Sequence, residues 1–407
     1  MKKKLVYLYR WIMWNVLSRP FVFLYIKPTY RFTRTPGSRP FPRPPFVVIA
    51  NHGTFFDPWM CGVYSRYPFA IMCNDDGFRG SPLARWYLNS IGAFPKKKGA
   101  SDFAAMKTTI ARMRDGYPVC IFPEGQTTWD GETQLMYKGI ERIIRKARCP
   151  LVTIRLQGNF LTRPWWARTP RKGRILLTIK VIAPEEIARL SDDGLFSLMK
   201  NSIYQDDIRD EMNRAATFSG HDLALGLERF VWICMTCGAE DRLETAGDRI
   251  TCRACGACFR LDAHCRLKPE PGTAAACLDI KEWWSLHRRT MIDRIAAATP
   301  HEVLARSPRA LLQTMGDRAA FVNRGAGELS LTREQLAFRP DDRQSAALCF
   351  PLPEIRNWVI QRKDIFEVTA RGVDYRFEFN RESPMKWLAY MRYLKGYEEC
   401  ERRGWIE

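Results

Sequence analysis

Acidic side chains are missing from the start of this 407-residue chain. The first 50 residues hold ten lysines and arginines but no aspartate or glutamate, and so carry half of the formal net charge of +20. Positive charge of this density attracts polyanions, either nucleic acid or the anionic leaflet of a membrane. The basic residues alternate with Leu, Ile, Val, Trp and Tyr. These apolar and aromatic neighbours favour a membrane surface over nucleic acid as the binding partner.

The same segment lacks an apolar run suited to a transmembrane helix, which needs about 20 such residues. Four residues interrupt the run: Arg10, Asn15, Arg19 and Pro20. One side of a helical projection is apolar: Leu5, Leu8, Ile12 and Val16. The other side carries Arg10, Trp14 and Ser18, and Pro20 is predicted to end the helix. We expect a helix that lies in or dips into the membrane interface; a helix packed on the protein itself is the alternative.

The sequence contains no convincing internal repeat, no long low-complexity tract and no small-residue cleavage site after the apolar segment, so a cleaved signal peptide is not expected. A chain of 407 residues that is 46% hydrophobic and 27% charged can fold around two or three cores. Its 13 cysteines include two close Cys-x-x-Cys pairs. This pattern indicates a reducing compartment and a bound metal rather than secreted disulfides.

A proline-rich linker, TRTPGSRPFPRPP (33–45), precedes the first folded region. From residue 46 to about 185, apolar runs alternate with helical patterns, and four runs predict strands: FVVIA (46–50), YPVCIF (117–122), PLVTIRLQG (150–158) and RILLTIKVI (174–182). This alternation predicts the α/β class, a sheet flanked by helices.

The first predicted strand runs directly into Asn-His-Gly, and Asp57 follows five places after His52. Open α/β sheets bind ligands at the carboxyl ends of their strands, so His52 stands where a general base could act. Asp57 could accept a hydrogen bond from one imidazole nitrogen and stabilise the protonated ring. The alternative is structural: a histidine in a turn, and an aspartate that caps a helix beginning at Pro58.

Later residues extend this pattern into a resemblance to the glycerolipid acyltransferases, the family of 1-acylglycerol-3-phosphate acyltransferase. Asn51, His52 and Asp57 match the family's N-H-x-x-x-x-D block. Four further segments are similar to family blocks, in the family's order: GAFPKKK (92–98), FPEGQ (122–126), YKGI (137–140) and CPLVTIRL (149–156). The resemblance covers roughly residues 40–220.

The resemblance implies transfer of a fatty acyl group from acyl-CoA or acyl carrier protein to the hydroxyl of a lysophospholipid. The expected acceptor is 1-acyl-sn-glycerol-3-phosphate, which would give phosphatidic acid. His52 and Asp57 would be catalytic, and four residues would bind substrate: Glu124, Gly125, Lys96 and Lys98. The transfer step needs no metal or other cofactor.

Three positions depart from the family pattern and leave the acceptor headgroup open. Lys98 stands where arginine is usual, Gln126 replaces threonine, and Thr153 occupies the place of a second proline. Another lysolipid or glycerol-3-phosphate is therefore an alternative acceptor. From other classes, a non-catalytic adaptor that binds lipid or nucleic acid and a thioester hydrolase also remain open.

Two cysteine pairs predict a second kind of site. Cys234-x-x-Cys237 and Cys252-x-x-Cys255 are separated by 14 residues, and glycine follows each pair. Four thiolates in this arrangement can hold a structural Zn²⁺, and the segment resembles a zinc ribbon. A disulfide framework is the alternative, and three nearby residues could replace one ligand: Cys258, His264 and Cys265.

Residues from about 300 to 400 resemble a PH- or GRAM-like domain, because short alternating runs are followed by a helix containing Trp387. The predicted organisation is therefore an interface helix and linker (1–45), an acyltransferase domain (46–230), a zinc ribbon (231–268) and a β-rich PH/GRAM-like domain (279–407). We expect a membrane-associated protein at the cytoplasmic face, with anionic lipids as partners; nucleic acid is not expected as a partner.

Overall fold

The structure is a computed structural model, and it describes residues 2–97, 103–274, 276–316, 320–342 and 344–406. The chain divides into two compact units. Unit 1 comprises Met1–Trp165, Pro170–Gly220 and Gly404–Glu407, and unit 2 comprises Trp166–Thr169 and His221–Arg403.

Unit 1 begins with an unbroken helical segment. It passes through α1 (Lys2–Ile12), a π-helical turn (Met13–Ser18), α2 (Arg19–Phe21), a second π-helical turn (Val22–Ile26) and α3 (Lys27–Thr29). The prediction that Pro20 ends this helix is therefore wrong. Pro20 and Pro28 each follow a π-helical turn, and the wider turn gives room for a ring that would clash with the preceding turn of a regular α-helix.

The apolar face predicted for this segment is exposed, whereas the opposite face is packed on the protein. Trp14 and Ser18 are buried. The Trp14 ring stacks on Phe69 at 5.5 Å, and the Ser18 and Tyr87 hydroxyl oxygens are 2.8 Å apart. The exposed face comprises Leu5, Leu8, Ile12 and Val16. Within the residues that the structure describes, every helix is too short or too polar to cross a bilayer.

The core of unit 1 is a seven-stranded sheet. Its strands and one short extra strand are β1 (Phe32–Arg34), β2 (Val47–Ala50), β3 (Ala70–Asn74), β4 (Phe94–Lys96), β5 (Val119–Ile121), β6 (Met136–Tyr137), β7 (Leu151–Gln157) and β8 (Ile175–Ile182). The sheet order is β1-β8-β7-β2-β5-β3-β4, and β6 pairs instead with Trp405–Ile406. Among the described strands of this sheet, only β7 and β8 are antiparallel neighbours. The parallel-dominated arrangement confirms the predicted α/β class, and the four predicted strands are β2, β5, β7 and β8.

Helices cover both faces of this sheet, so its strands are apolar on both sides. The helices are α4 (Asp57–Gly62), α5 (Pro82–Ser90), α6 (Phe103–Arg114), α7 (Ile140–Ala147), α8 (Asn159–Thr162), α9 (Pro184–Arg189), α10 (Asp192–Ile203) and α11 (Glu211–Arg214), with a 3₁₀ turn at Asp75–Arg79. Val48 and Ala50 join a core with the N-terminal segment, α4 and α5. Val47 and Ile49 join a second core with α6, α7 and α10.

The described part of unit 2 contains two antiparallel sheets and three helices. A four-stranded sheet consists of β9 (Leu243–Ala246), β10 (Arg249–Cys252), β11 (Cys258–Leu261) and β12 (Leu267–Pro269), and α12 (Ile280–Ala297) follows it. A seven-stranded sheet consists of β13 (Ala305–Met315), β14 (Phe321–Leu331), β15 (Gln335–Pro340), β16 (Leu348–Pro351), β17 (Ile355–Gln361), β18 (Ile365–Ala370) and β19 (Val373–Glu378). Two 3₁₀ turns (Leu227–Arg229 and Leu352–Glu354) and the helices α13 (Pro384–Leu394) and α14 (Tyr397–Arg403) complete the unit. The small cysteine-bearing sheet and the larger β-rich sheet agree with the predicted fold class.

Candidate functional site

His52 lies where β2 ends, at the carboxyl edge of the parallel part of the sheet. The preceding Asn51 is buried and fixes this strand end, because its side chain bonds twice to the backbone of Leu156 in β7. Asn51 Nδ2 donates to the Leu156 carbonyl and Asn51 Oδ1 accepts the Leu156 N–H, both at 2.8 Å. The asparagine of the first motif thus anchors the loop that carries the histidine.

The predicted pair of His52 and Asp57 is in hydrogen-bond contact. His52 Nδ1 is 2.9 Å from Asp57 Oδ2. The bond places the Nδ1 proton toward the carboxylate and leaves Nε2 as the nitrogen that can accept a proton. The imidazole ring stacks on Phe122 with 4.4 Å between centroids, and the His52 side chain is 19% exposed.

Asp57 is fully buried and is surrounded by hydrogen-bond donors. Besides His52, its Oδ2 accepts the N–H groups of Gly53 at 2.7 Å and Thr54 at 2.8 Å. Its Oδ1 accepts the Thr54 hydroxyl at 2.7 Å and Asn159 Nδ2 at 3.1 Å. This donor set suits a negatively charged carboxylate that is held in one orientation.

The helix-cap alternative for Asp57 is wrong in its geometry. The helix α4 begins at Asp57 itself, and Phe56 occupies the N-cap position without a side-chain cap bond. The Asp57 carboxylate turns back to the loop of residues 52–54 instead of capping the helix that follows. The sequence pattern of aspartate before proline is typical of a cap. Here the Asp57 carboxylate accepts the N–H groups of Gly53 and Thr54 instead.

Glu124 lies beneath the loop rather than facing the cleft with a free carboxylate. It is buried, and its two oxygens accept the backbone N–H groups of His52 at 2.7 Å and Gln134 at 2.6 Å. Burial raises the pKa of Glu124 well above its ordinary value, and these two N–H donors oppose the rise. Glu124 therefore supports the His52 backbone, whereas the family resemblance implied contact with substrate.

Gly125 and Lys96 lie close to the same aromatic ring, that of Tyr137. Gly125 has φ of +70°, and a Cβ atom built there would lie 2.8 Å from Tyr137 Cε2, so only glycine fits. Lys96, at the end of β4, places its Nζ 5.2 Å from the Tyr137 ring centroid. Lys98, the other predicted phosphate ligand, lies outside the described residues. The shallow cleft at His52 is also lined by Glu124, Thr128 and Asn159.

Asn159 was missed in the sequence analysis. It contacts Asp57 from 102 residues away along the chain, and it belongs to none of the motif blocks. Local periodicity predicts only that the strand β7 ends near Gly158. No short-range signal could have identified the partner of its side chain.

In unit 2, the predicted cysteines meet in one cluster. The Sγ atoms of Cys234, Cys237, Cys252 and Cys255 all lie within 4.8 Å of one another. The Cys234–Cys255 and Cys237–Cys252 sulfur pairs are each 3.8 Å apart. A tetrahedral Zn²⁺ with Zn–S bonds of about 2.3 Å requires sulfurs about 3.8 Å apart. The donor set and spacing therefore fit a metal ion.

The two cysteine turns have the same local geometry. Gly238 and Gly256 follow the second cysteine of each pair with φ of +72° and +75°. Their N–H groups donate to the carbonyls of Cys234 and Cys252, both at 2.9 Å. All 13 cysteines are free thiols, so the disulfide alternative is not realised in the structure. Among the described residues, the converging ligand set includes none of the three alternatives: Cys258, His264 and Cys265.

Comparison with known proteins identifies the class of the chain. The family model described as "Acyltransferase" matches residues 33–157, the segment that contains β2, His52, Asp57 and Glu124. The chain therefore contains an acyltransferase-family domain, which confirms the predicted family and enzyme class.

Three solved structures are similar to parts of the chain. The 1-acyl-sn-glycerophosphate acyltransferase PlsC from Thermotoga maritima is 18% identical, with a TM-score of 0.37, over 50% of this chain and 94% of that one. The N-terminal PH domain of human ARAP2 is 12% identical, with a TM-score of 0.20, over 25% and 87%. The C-terminal domain of an unknown protein from Leishmania infantum is 15% identical, with a TM-score of 0.14, over 30% and 96%.

Proposed function

We propose that this acyltransferase moves a fatty acyl group from a thioester donor to the hydroxyl of a lysophospholipid, with 1-acyl-sn-glycerol-3-phosphate as the acceptor and phosphatidic acid as the product. The observation that carries the proposal is the 2.9 Å contact between His52 Nδ1 and Asp57 Oδ2 at the carboxyl end of β2. The thioester is acyl-CoA or acyl carrier protein. The resemblance of the motif blocks at residues 51–57, 92–98 and 122–126 to the glycerolipid acyltransferases gives the first acceptor to test.

His52 acts as the general base in this mechanism. The acceptor hydroxyl donates its proton to Nε2 while its oxygen forms a bond to the thioester carbonyl carbon. The tetrahedral intermediate then expels the thiolate, the C–S bond breaks, and the thiolate takes the proton from Nε2. Asp57 stabilises the imidazolium between these two steps, and His52 returns to its neutral form.

Positive charge near the cleft would hold the acceptor phosphate. Lys96 supports this role because its ammonium group lies beside Tyr137, the ring that also packs on Gly125. Lys98 is the second proposed phosphate ligand. Gly125 allows close approach of the Tyr137 ring to the backbone. Glu124 holds the His52 main chain from below.

We also propose docking on a membrane surface at its cytoplasmic face, and exposed apolar side chains support the contact with a membrane. They lie on the N-terminal helical segment, on the loop after His52 and on α5: Leu5, Leu8, Trp11, Ile12, Val16, Leu24, Phe55, Leu83 and Trp86. Ring contacts join the first two groups, since Phe56 lies 6.1 Å from Phe21 and 5.6 Å from Phe55. An interfacial helix of this kind would deliver a lipid acceptor to the loop that carries the base.

The decisive test is acyl transfer from labelled acyl-CoA and, in parallel, acyl carrier protein to a panel of lysophospholipids and glycerol-3-phosphate. We expect activity that His52→Ala abolishes and that His221→Ala leaves unchanged. His221 is a matched control because its Nδ1 also contacts an aspartate, Asp222, at 2.8 Å, but on an exposed surface of unit 2.

Two results would contradict the proposal. Release of free fatty acid without any acceptor would indicate a thioester hydrolase. A folded protein that turns over no donor with any acceptor would favour the lipid-binding adaptor.

We also propose that the four-cysteine cluster holds a structural Zn²⁺. The 3.8 Å sulfur spacing and the pair of matching turns support this ion. Elemental analysis of the purified protein should find one zinc per chain, and Cys252→Ser should lose it. The exposed Cys349→Ser is the control and should retain the metal.

A further inference from the structure

We propose that Asn159 is a positioning residue for the His52–Asp57 pair, and that Asp207 and Asn213 hold Asn159 in place. The inference rests on the proposed role of His52 as general base. With Asn159, Asp207 and Asn213, the proposed active site extends beyond residue 157, where the match to the acyltransferase family model ends.

Asn159 donates one of the two hydrogen bonds that Oδ1 of the Asp57 carboxylate accepts. Its Nδ2 lies 3.1 Å from Asp57 Oδ1, and both side chains are buried. An amide is a neutral donor. It orients the carboxylate without the competing positive charge that a lysine or arginine would bring. The full negative charge of Asp57 is therefore left to stabilise the imidazolium of His52.

Asn159 also restricts the loop itself. A Cβ atom built on Gly53 would lie 2.6 Å from Asn159 Nδ2, so the amide is already in tight contact with the main chain between His52 and Thr54. The same side chain thus contacts both ends of the loop that closes on Asp57. Any displacement of Asn159 changes the position of the carboxylate and, through it, the orientation of the imidazole ring.

Asp207 holds the chain on either side of Asn159. Its Oδ1 accepts the Gly158 N–H at 2.7 Å, and its Oδ2 accepts the Phe160 N–H at 2.9 Å. Asn213 Nδ2 in turn donates to Asp207 Oδ1 at 3.0 Å. Burial raises the pKa of Asp207 to about 7, against the lowering effect of these donors. A buried carboxyl with three donors is a costly arrangement that defines one backbone conformation at residues 158–160.

The first measurement is spectroscopic and needs no acyl transfer. In protein labelled with ¹⁵N-histidine, the His52 Nδ1–H proton should give a downfield resonance, assigned by its loss in His52→Ala. We expect this resonance to shift or broaden in Asn159→Ala and in Asn159→Asp. The aspartate variant keeps the side-chain shape, so it remains informative if the alanine variant fails to fold. Asn357→Ala, which truncates a buried asparagine in unit 2, should leave the resonance unchanged.

The second measurement is steady-state kinetics on the acceptor that the panel identifies. Asn159→Ala should lower kcat on the order of 10- to 100-fold with little change in KM, because the Asn159 amide donates its hydrogen bond to Asp57 and orients the base. Asn159→Asp should lower kcat further, since it places a second carboxylate against Asp57. Asp207→Asn should lower kcat in the same way, and combining it with Asn159→Ala should add little.

An unchanged His52 resonance in both Asn159 variants would overturn the inference, and so would an equal shift in Asn357→Ala, which would indicate general loosening. If no acceptor is turned over, the proposed function fails, and the resonance alone still decides whether Asn159 positions the pair.

Discussion

Asp57 shows how a single residue can combine several contacts in one buried position. Its carboxylate accepts bonds from two backbone N–H groups, one hydroxyl, one amide and one imidazole. An asparagine of the same size could accept at only one of its two polar atoms. The side-chain NH₂ would face N–H groups that now donate to Oδ2.

At the residue scale we therefore expect Asp57→Asn to leave the protein folded but to lower kcat on the order of 10²- to 10⁴-fold, because the imidazolium loses its counter-charge and the tautomer of His52 is no longer fixed. Initial rates with the acceptor identified by the panel measure this. Asp222→Asn, in the exposed His221–Asp222 pair, is the control and should be fully active. Normal turnover by Asp57→Asn would contradict the role given to the pair.

The helix α12 illustrates the element scale, because a buried histidine joins it to the chain before the first cysteine. His287 Nε2 accepts the N–H groups of Trp232 and Ile233, both at 2.8 Å. Its Nδ1 lies 2.7 Å from the Trp283 carbonyl, and the rings of Trp232, Trp283 and Trp284 surround it. Burial lowers the pKa of His287 to about 3, and the bond to Trp283 opposes that shift. The ring is therefore neutral in the folded protein at ordinary pH.

This lowered pKa predicts acid sensitivity of unit 2. The unfolded chain takes up a proton on His287 near its ordinary value of 6.5, whereas the folded chain resists protonation down to about 3. The stabilisation is complete above pH 6.5 and is lost as the pH falls toward 3, at a total on the order of 5 kcal/mol. Denaturant unfolding of unit 2 at several pH values in this range measures how the free energy of unfolding changes with pH. His287→Gln should flatten this pH dependence, and an unaltered slope in that variant would assign the effect to other groups.

The N-terminal helical segment is the second case at the element scale. Leu24 is 80% exposed, the most of the large apolar side chains on this segment. Burying a leucine in lipid contributes about 1.5–3 kcal/mol. Leu24→Glu should therefore weaken binding to vesicles of anionic phospholipid by roughly 10- to 100-fold in a sedimentation assay. Val303→Glu, at an exposed apolar position in unit 2, should bind like the unaltered protein; an equal loss there would argue against docking through the helix.

At the scale of the whole molecule, the cysteine cluster is connected with the larger sheet of unit 2 through a buried lysine. Lys386 in α13 pairs with Asp241, which follows the first cysteine pair, and also donates to the Arg306 carbonyl in β13 at 3.0 Å. Lys386 is 1% exposed. A buried cation that loses its carboxylate is strongly destabilising.

Removal of the proposed Zn²⁺ should therefore destabilise more than the small sheet that carries the cysteines. We expect a chelator to lower the unfolding midpoint of unit 2 on the order of 10 °C. Hydrogen exchange should accelerate in β13 and α13 as well as in β9–β12. Cys252→Ser should reproduce the effect and Cys349→Ser should not. Faster exchange confined to residues 231–268 would show that Lys386 does not couple metal loss to the stability of the larger sheet.

The sequence by itself determined the features that depend on residues close together in the chain. Alternation of apolar runs with helical periods was enough to predict the α/β class and the strands β2, β5, β7 and β8. The spacing of four cysteines predicted the cluster, since each turn is built from local residues. The five-residue spacing of His52 and Asp57 predicted their contact for the same reason.

Only the tertiary structure decided the features that depend on distant residues. The inward orientation of Glu124 is set by N–H groups of His52 and Gln134, 72 residues before it and ten after it. The partner of Asn159 is 102 residues away, and the exposed face of the N-terminal helix follows from what Trp14 packs against. The helical segment likewise continues past Pro20 because of π-helical turns, which residue helix propensities do not predict. A side chain bonds to whichever groups folding brings next to it, and these groups come from distant parts of the chain. The sequence near that side chain therefore does not predict its partner.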